Sequence, residues 1–312
     1  MKTEAVFFTK DGMAEIRRID IAGPGIGEVQ ARTVINGICM YEVWQFSRTK
    51  IDVPFIPGHE GIGVVTEVGP SVPDIQVGDW ITTCGWSRLS NQKRGDFIRL
   101  TCVPEHPESF LPEPLACAVI AQSGVPSYPG DRVILFGAGY MGLLLVQLLS
   151  RTPQSHLTVV DLKPENLRLA REFGADEIVD LSDPTSTEQL AAMDGSFDLA
   201  FECSGAVASL ERSLTHTRRG GSVCFFAWHH QHRSIDMNLC HEKGLRLFNA
   251  TPGMVVDEKR FRCFEASERL LSAGRIDQRK LVTNVYDVAD IQKAMEDSVE
   301  RKGGFIKSVL RF

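Results

Sequence analysis

Arg132-Val133-Ile134-Leu135-Phe136-Gly137-Ala138-Gly139-Tyr140-Met141-Gly142-Leu143-Leu144-Leu145-Val146-Gln147-Leu148-Leu149 decides how the rest of this chain is read. The apolar run 132–136 reads as a buried strand, and 140–149 as a strongly apolar helix. Between them stands G-x-G-x-x-G. Alone that motif is weak. Here it closes a strand and opens a helix, and an acid, Asp161, ends the next expected strand at about the 20-residue offset of a ribose-binding carboxylate. Gly137 permits the tight turn, Gly139 lets backbone approach a pyrophosphate, and Gly142 lets helix and strand pack closely. The helix N-terminus at Tyr140 and Met141 offers free N–H groups and a positive dipole end to phosphates. Asp161 is expected to accept hydrogen bonds from the ribose of an adenosine half. A carboxylate there repels a 2′-phosphate, which favours NAD over NADP, although Lys163 and Arg168 weaken that preference. No G-x-x-x-x-G-K-[ST] occurs, so a P-loop NTPase is not the reading.

Outward from this unit the pattern continues as strand and helix. Residues 157–161, 177–180, 197–202 and 222–226 read as strands. A helix with an early proline covers 164–173 and stops at Gly174. Alternating elements of this kind call for a parallel sheet with helices on both faces. Before residue 115 the chain has another character. Short β-type runs at 28–36, 63–69 and 77–83, separated by glycines and turns, read as a compact β domain. At the other end a helix is expected at 291–299 and a strand at 305–310, and this tail is expected to rejoin the first domain. The boundaries that result are 1–114 with 278–312 for the β-rich domain, and 115–277 for the nucleotide-binding one.

Composition fits a soluble globular protein. Of 312 residues, 43% are hydrophobic and 24% charged. The net charge of -6 lacks the basic face expected of a nucleic-acid binder. No apolar run is long enough for a membrane helix, and the first residues lack signal-peptide character. The eight cysteines are scattered without a C-x-x-C pair, so reduced thiols and a cytoplasmic location are expected. The charged runs 257–260 and 300–302 read as solvated helix faces.

A second constellation lies in the β-rich part. Gly58-His59-Glu60 opens a G-H-E-x-x-G-x-x-x-x-x-G-x-x-V pattern with Gly63, Gly69 and Val72. Cys39 precedes it, and Glu113-Pro114-Leu115-Ala116-Cys117 follows. Thiolate, imidazole and carboxylate can together make a three-ligand zinc site with one open position, which catalysis requires. With Val77-Gly78-Asp79, Phe201-Glu202-Cys203-Ser204-Gly205, Arg219-Gly220-Gly221 and Ala294-Met295-Glu296-Asp297 added, the chain resembles the zinc-containing medium-chain dehydrogenase/reductases, the alcohol and polyol dehydrogenase group, nearly end to end.

That resemblance implies a GroES-like β domain, a Rossmann domain and an active site in the cleft between them. It implies that Cys39 and His59 ligate a catalytic zinc. Glu60 is implied as a ligand or as a neighbour able to exchange onto the metal, Glu113 as the last ligand, and Cys117 as a weaker candidate. Cys203 and Ser204 are implied to meet the cofactor, and the assembly to be a homodimer or homotetramer. Three departures stand out. Where the family follows its zinc cysteine with Gly, Ser or Thr, and Asp, this chain has Met40-Tyr41-Glu42, so that Tyr41 replaces the proton-accepting hydroxyl. It either relays a proton as a phenol or lines the pocket. The four-cysteine structural zinc lobe is absent, leaving Cys84 and Cys102, so one zinc per chain is expected. Loops after Trp86 and Ala227 are short. Trp44 and Trp86 read either as cleft-lining or as core, and the loop Trp228-His229-His230-Gln231-His232-Arg233 either as a border of the nicotinamide or substrate or as polar surface.

The expectation is a zinc-dependent oxidoreductase that moves a hydride between NAD and a secondary alcohol of polyol, cyclitol or sugar-like kind. Its partners would be a small alcohol or ketone, with no nucleic acid and no membrane. Two alternatives stay open: a zinc-free, NADPH-dependent reductase of the same superfamily acting on an activated double bond or quinone, and a non-catalytic nucleotide-binding protein on this fold.

Overall fold

A segment that is apolar on both faces needs cover on both faces, and Val133, Ile134, Leu135 and Phe136 are all buried. The structure, a computed structural model, describes residues 1–48, 55–250 and 258–312, the last segment from residue 261 for side chains. The side chains of the charged run 257–260 thus lie outside the described residues. In chain order the elements are β1 (Lys2–Phe8), β2 (Ala14–Asp20), β3 (Glu28–Gly37), α1 (Met40–Arg48), β4 (Gly61–Val68), β5 (Trp80–Thr83), β6 (Leu89–Lys93), α2 (Pro112–Gly124), β7 (Arg132–Phe136), α3 (Tyr140–Leu149), β8 (His156–Asp161), α4 (Pro164–Glu172), β9 (Glu177–Asp180), α5 (Ser186–Ala191), β10 (Phe197–Glu202), α6 (Val207–His216), β11 (Thr217–Phe225), α7 (Met237–Lys243), β12 (Arg246–Asn249), α8 (Glu258–Ser272), β13 (Val282–Asp287), α9 (Ile291–Glu300) and β14 (Lys307–Arg311). None of the described helices is long and apolar enough to cross a membrane.

The chain forms two compact units, Met1–Pro114 with Phe264–Phe312, and Leu115–Cys263. Residues 264–277, expected with the nucleotide-binding part, belong instead to the first unit. The reason is local anchoring. Glu268 accepts the Thr101 amide at 2.8 Å and the Thr101 hydroxyl at 2.7 Å. Gln278 exchanges two hydrogen bonds with the Leu111 backbone, each 3.0 Å long.

In the second unit six strands run β12-β11-β10-β7-β8-β9, and every adjacent pair is parallel. The chain steps from β7 out to β9, then returns to the other side of β7 with β10. This reversal opens a crevice at the carboxyl ends of β7 and β10, where such sheets take ligands. Helix α3 is buried on nearly all sides, as a helix apolar all round must be. The unit is the doubly wound α/β fold expected from its sequence.

In the first unit the sheet order is β13-β14-β3-β4-β5, with β6 pairing β3, and β1-β2 form a separate antiparallel pair. The tail does rejoin this unit, since β14 pairs antiparallel with β3, Val309 opposite Gly37. One core cluster gathers Val6, Phe8, Phe46, Trp86, Ile291 and Leu310. Trp86 is fully buried and meets Phe8 edge-on with ring centroids 5.8 Å apart, a geometry worth about 1 kcal/mol beyond its buried area. Of its two readings, core is the one realised.

Candidate active site

Cys39 lies between β3 and α1. Its carbonyl accepts the Val43 amide at 3.2 Å, which makes it the residue that starts the helix. Three positions on, Glu42 turns back, and its Oε2 accepts the Cys39 amide at 3.1 Å. That is the return half of a capping box. The other oxygen, Oε1, accepts Nδ1–H of His59 at 2.8 Å. Glu42 is 1% exposed. With Nδ1 committed to Glu42, Nε2 is the nitrogen of His59 left for a metal, which would bind there in place of a proton. Burial opposes a charge on His59, but hydrogen bonds to Cys39 and Glu42, and the charges of Glu42 and Glu113, outweigh it and hold the imidazole pKa well above its ordinary value. Burial, then the charge of Glu60, push the Cys39 thiol up, against the pull of His59.

Glu60 leads into β4. Its amide donates to Asn36 Oδ1 at 3.1 Å, and its carbonyl accepts the Gly37 amide at 3.2 Å. Its carboxylate forms a buried ion pair with Lys307 of β14. Lys307 Nζ also donates to the Ile38 carbonyl at 2.9 Å. Burial works against the lysine's charge, yet Glu60 and Cys39 raise its pKa. Gly37 supplies the room, because a Cβ there would overlap Glu60 Oε2.

Glu113 stands half-buried in the first turn of α2. Donor atoms of His59, Glu60 and Glu113 lie within 4.8 Å of one another, and so do those of Cys39, Glu42 and His59. The residues read from sequence therefore converge on His59. Glu42 joins them, although its sequence position gave it only as a variant of a conserved-type acid. Cys117 is in neither group among the described residues. A thiol, an imidazole and carboxylates are a zinc-type donor set. Three carboxylates set against Lys307 and the His59 imidazole leave negative charge that a divalent cation would offset, so these residues fit the metal.

Tyr41, 37% exposed, accepts a hydrogen bond from Gln45 Nε2 at 3.2 Å. Its ring stacks on Trp44 and meets His59 edge-on, each with centroids 6.4 Å apart. An aromatic wall thus stands beside the donor cluster.

In the second unit Gly137 has φ +102, and a Cβ there would come within 2.7 Å of the Ser204 amide. At Gly142 it would overlap the Gly137 carbonyl, whereas at Gly139 it would meet nothing within 4 Å. The space at Gly139 is left open by the protein. Asp161 accepts the Ala138 amide at 2.5 Å through Oδ2 and the Lys163 amide at 2.8 Å through Oδ1, so the acid is tied to the glycine loop. Tyr140 is buried, while Met141 and Lys163 are half-buried.

At the end of β10 the fully buried Glu202 accepts from the Ser204 amide at 2.8 Å, the Ser204 hydroxyl at 2.7 Å and the Gly205 amide at 2.9 Å. Its other oxygen accepts Nε2–H of His229 at 3.0 Å. The sequence pattern pointed to Cys203 and Ser204 and passed over Glu202. Burial and the Glu202 charge drive the Cys203 thiol well up, which makes it inert as a nucleophile. His229, His230 and His232 are in no metal-type group among the described residues.

Residues 141–268 match the zinc-binding dehydrogenase family, and residues 25–106 the alcohol dehydrogenase GroES-like domain. L-threonine 3-dehydrogenase of Pyrococcus horikoshii is 28% identical over 325 residues, 91% of this chain and 92% of that protein. Sorbitol dehydrogenase of Bacillus subtilis is 23% identical over 320 residues, 90% of this chain and 89% of that protein. The crystal structure of L-idonate 5-dehydrogenase from Escherichia coli superposes with a TM-score of 0.86 at 20% identity, covering 100% of this chain and 99% of that one.

Proposed function

The chain belongs to the zinc-containing medium-chain dehydrogenase/reductases, and on that premise we propose that it is a zinc- and NAD-dependent dehydrogenase of a secondary alcohol of polyol or sugar-like kind. It is an oxidoreductase by family. The convergence of Cys39, Glu60 and Glu113 on His59 is the observation that carries the finer reading. Cys39, His59 and Glu113 would hold the zinc, with Glu60 kept beside it by Lys307. When bound, zinc supplies a Lewis acid that lowers the pKa of an alcohol hydroxyl. NAD supplies the hydride acceptor.

The chain's own residues do the rest. Glu42 fixes the His59 ring and the Cys39 backbone with one carboxylate. Tyr41 and Trp44 wall the approach to His59, and the Tyr41 hydroxyl, or a water beside it, takes the substrate proton. Gly139 and the start of α3 receive the pyrophosphate, and Asp161 takes the adenosine ribose. Asp161 favours NAD because its charge repels a 2′-phosphate. The polyol class is supported by the likeness to sorbitol dehydrogenase. The likeness to a threonine dehydrogenase adds a second secondary alcohol.

The test is zinc per chain after dialysis, followed by a screen of secondary alcohols with NAD. About one zinc per chain with NAD reduction is the expected result. No zinc after growth in added zinc would overturn the reading in favour of a zinc-free reductase.

A further inference from the structure

We propose that His229, held by Glu202, is a cofactor-binding residue whose Nδ1 accepts a hydrogen bond from the nicotinamide half of the dinucleotide. This rests on the reading of the second unit as a dinucleotide site.

Strand order fixes which half lies where. Asp161 ends β8, on one side of β7, while β10 and β11 lie on the other. A dinucleotide crossing the carboxyl ends with its adenosine ribose on Asp161 must carry its nicotinamide half over β10 and β11. His229 lies in the loop that leaves β11, and its partner Glu202 ends β10. The position is therefore right before any side-chain chemistry is considered.

The chemistry is specific as well. All of Glu202's contacts in this turn come from donors: Ser204 N and Oγ, Gly205 N, and His229 Nε2. With Nε2–H committed to a carboxylate, Nδ1 carries the lone pair, and the carboxylate behind the ring makes it a better acceptor. That Nδ1 is buried and has no hydrogen-bond partner among the described residues. Trp228 and His230 pack against each other with ring centroids 4.1 Å apart, and Trp228 is 49% exposed, whereas the His229 side chain is 14% exposed. The loop thus turns the His229 imidazole toward Glu202, and that imidazole offers an acceptor to a ligand. The nicotinamide half presents two kinds of donor to it, ribose hydroxyls and the carboxamide NH₂.

The experiment uses the full-length chain, its His229→Lys variant, NADH, ADP and the reduced acetylpyridine analogue of NADH. Lysine can still donate to Glu202, so the buried carboxylate stays paired, but it has no acceptor; ADP reads any effect of its charge on the phosphates. The expected result is NADH affinity relative to ADP about tenfold weaker in H229K, one hydrogen bond to a ligand, with the thermal midpoint as in the parent. An unchanged ratio of NADH to ADP affinity in H229K would overturn the proposal, because equal changes for both ligands mean a structural or a charge effect. If the parent binds neither ligand, the dinucleotide reading itself falls, and this proposal with it. The analogue identifies the donor, because it lacks the amide NH₂. If the loss in H229K disappears with it, the partner is the carboxamide; if the loss persists, the partner is the ribose.

Discussion

His59 Nδ1 and Glu42 Oε1 are 2.8 Å apart, and the same carboxylate holds the Cys39 amide with its second oxygen. One side chain therefore aims an imidazole and sets the backbone of a thiol. Glu42→Gln keeps the shape and removes the charge. Loss of such a supporting carboxylate weakens metal binding by about 10- to 100-fold, and zinc titration against a chelator should read that drop. An E42Q chain with unchanged zinc affinity would contradict the role given to Glu42.

Lys307 and Glu60 form a pair that cannot be broken from one side cheaply. Lys307→Met leaves a buried carboxylate without its cation, at a cost of about 3–5 kcal/mol. The double variant E60Q/K307M removes both charges and should recover most of that loss in urea unfolding. No recovery would mean that Lys307 acts through packing or through its bond to the Ile38 carbonyl.

Space around two glycines separates folding from binding. Gly142→Ala forces a Cβ onto the Gly137 carbonyl, so a loss of stability of about 2 kcal/mol or more is expected, as for overpacking. Gly139→Ala meets nothing within 4 Å. It should melt like the parent yet bind NADH at least about tenfold more weakly, since its methyl occupies the approach to the pyrophosphate. Paired melting and NADH titration check both variants.

Asp161→Ser removes the charge that opposes a 2′-phosphate. The ratio of kcat/KM for NADP over that for NAD should rise by about tenfold or more, the effect of one unfavourable charge contact near 1.4 kcal/mol. A ratio that stays put would locate cofactor choice elsewhere.

Asp198 links β10 to the start of β7 and to β11. Burial works against its charge, but the Arg132 amide at 2.8 Å and the Arg218 guanidinium at 2.6 Å hold its pKa below the ordinary value. A depressed pKa contributes stability above the unfolded value, about 3.9, and loses it as pH falls through the lower folded value. Asp198→Asn should therefore cost about 1 kcal/mol at pH 7, and the gap to the parent should close as pH falls below the unfolded value. A gap that widens in acid would reverse the sign argued here.

The second unit was legible because its signals are local. An apolar run, three spaced glycines and an acid on the next strand are all set within a few dozen residues, and β7, α3 and β10 lie at the bounds read from sequence. Strand β11 starts earlier than read, at Thr217, because Thr217, Arg218, Arg219 and two glycines give its first half no apolar run. In the first unit α1 went unread, since its buried side chains are Glu42, Val43 and Phe46, and a buried glutamate breaks the apolar pattern. Glu42 and Lys307 were missed for a related reason. Their partners, His59, Ile38 and Glu60, are far from them in sequence, and only the pairing of β3 with β4 and β14 brings them together.

Strand β14 has a consequence for biosynthesis. It follows the whole second unit along the chain, yet it is hydrogen-bonded to β3 and carries Lys307. On the ribosome, where domains tend to fold as units from the N-terminal side, residues 115–263 can close while the first unit still waits for its inner strand. Until that strand emerges, Glu60 has no counter-charge. The nucleotide-binding part is thus the earlier folding product, and the cluster around His59 is finished last.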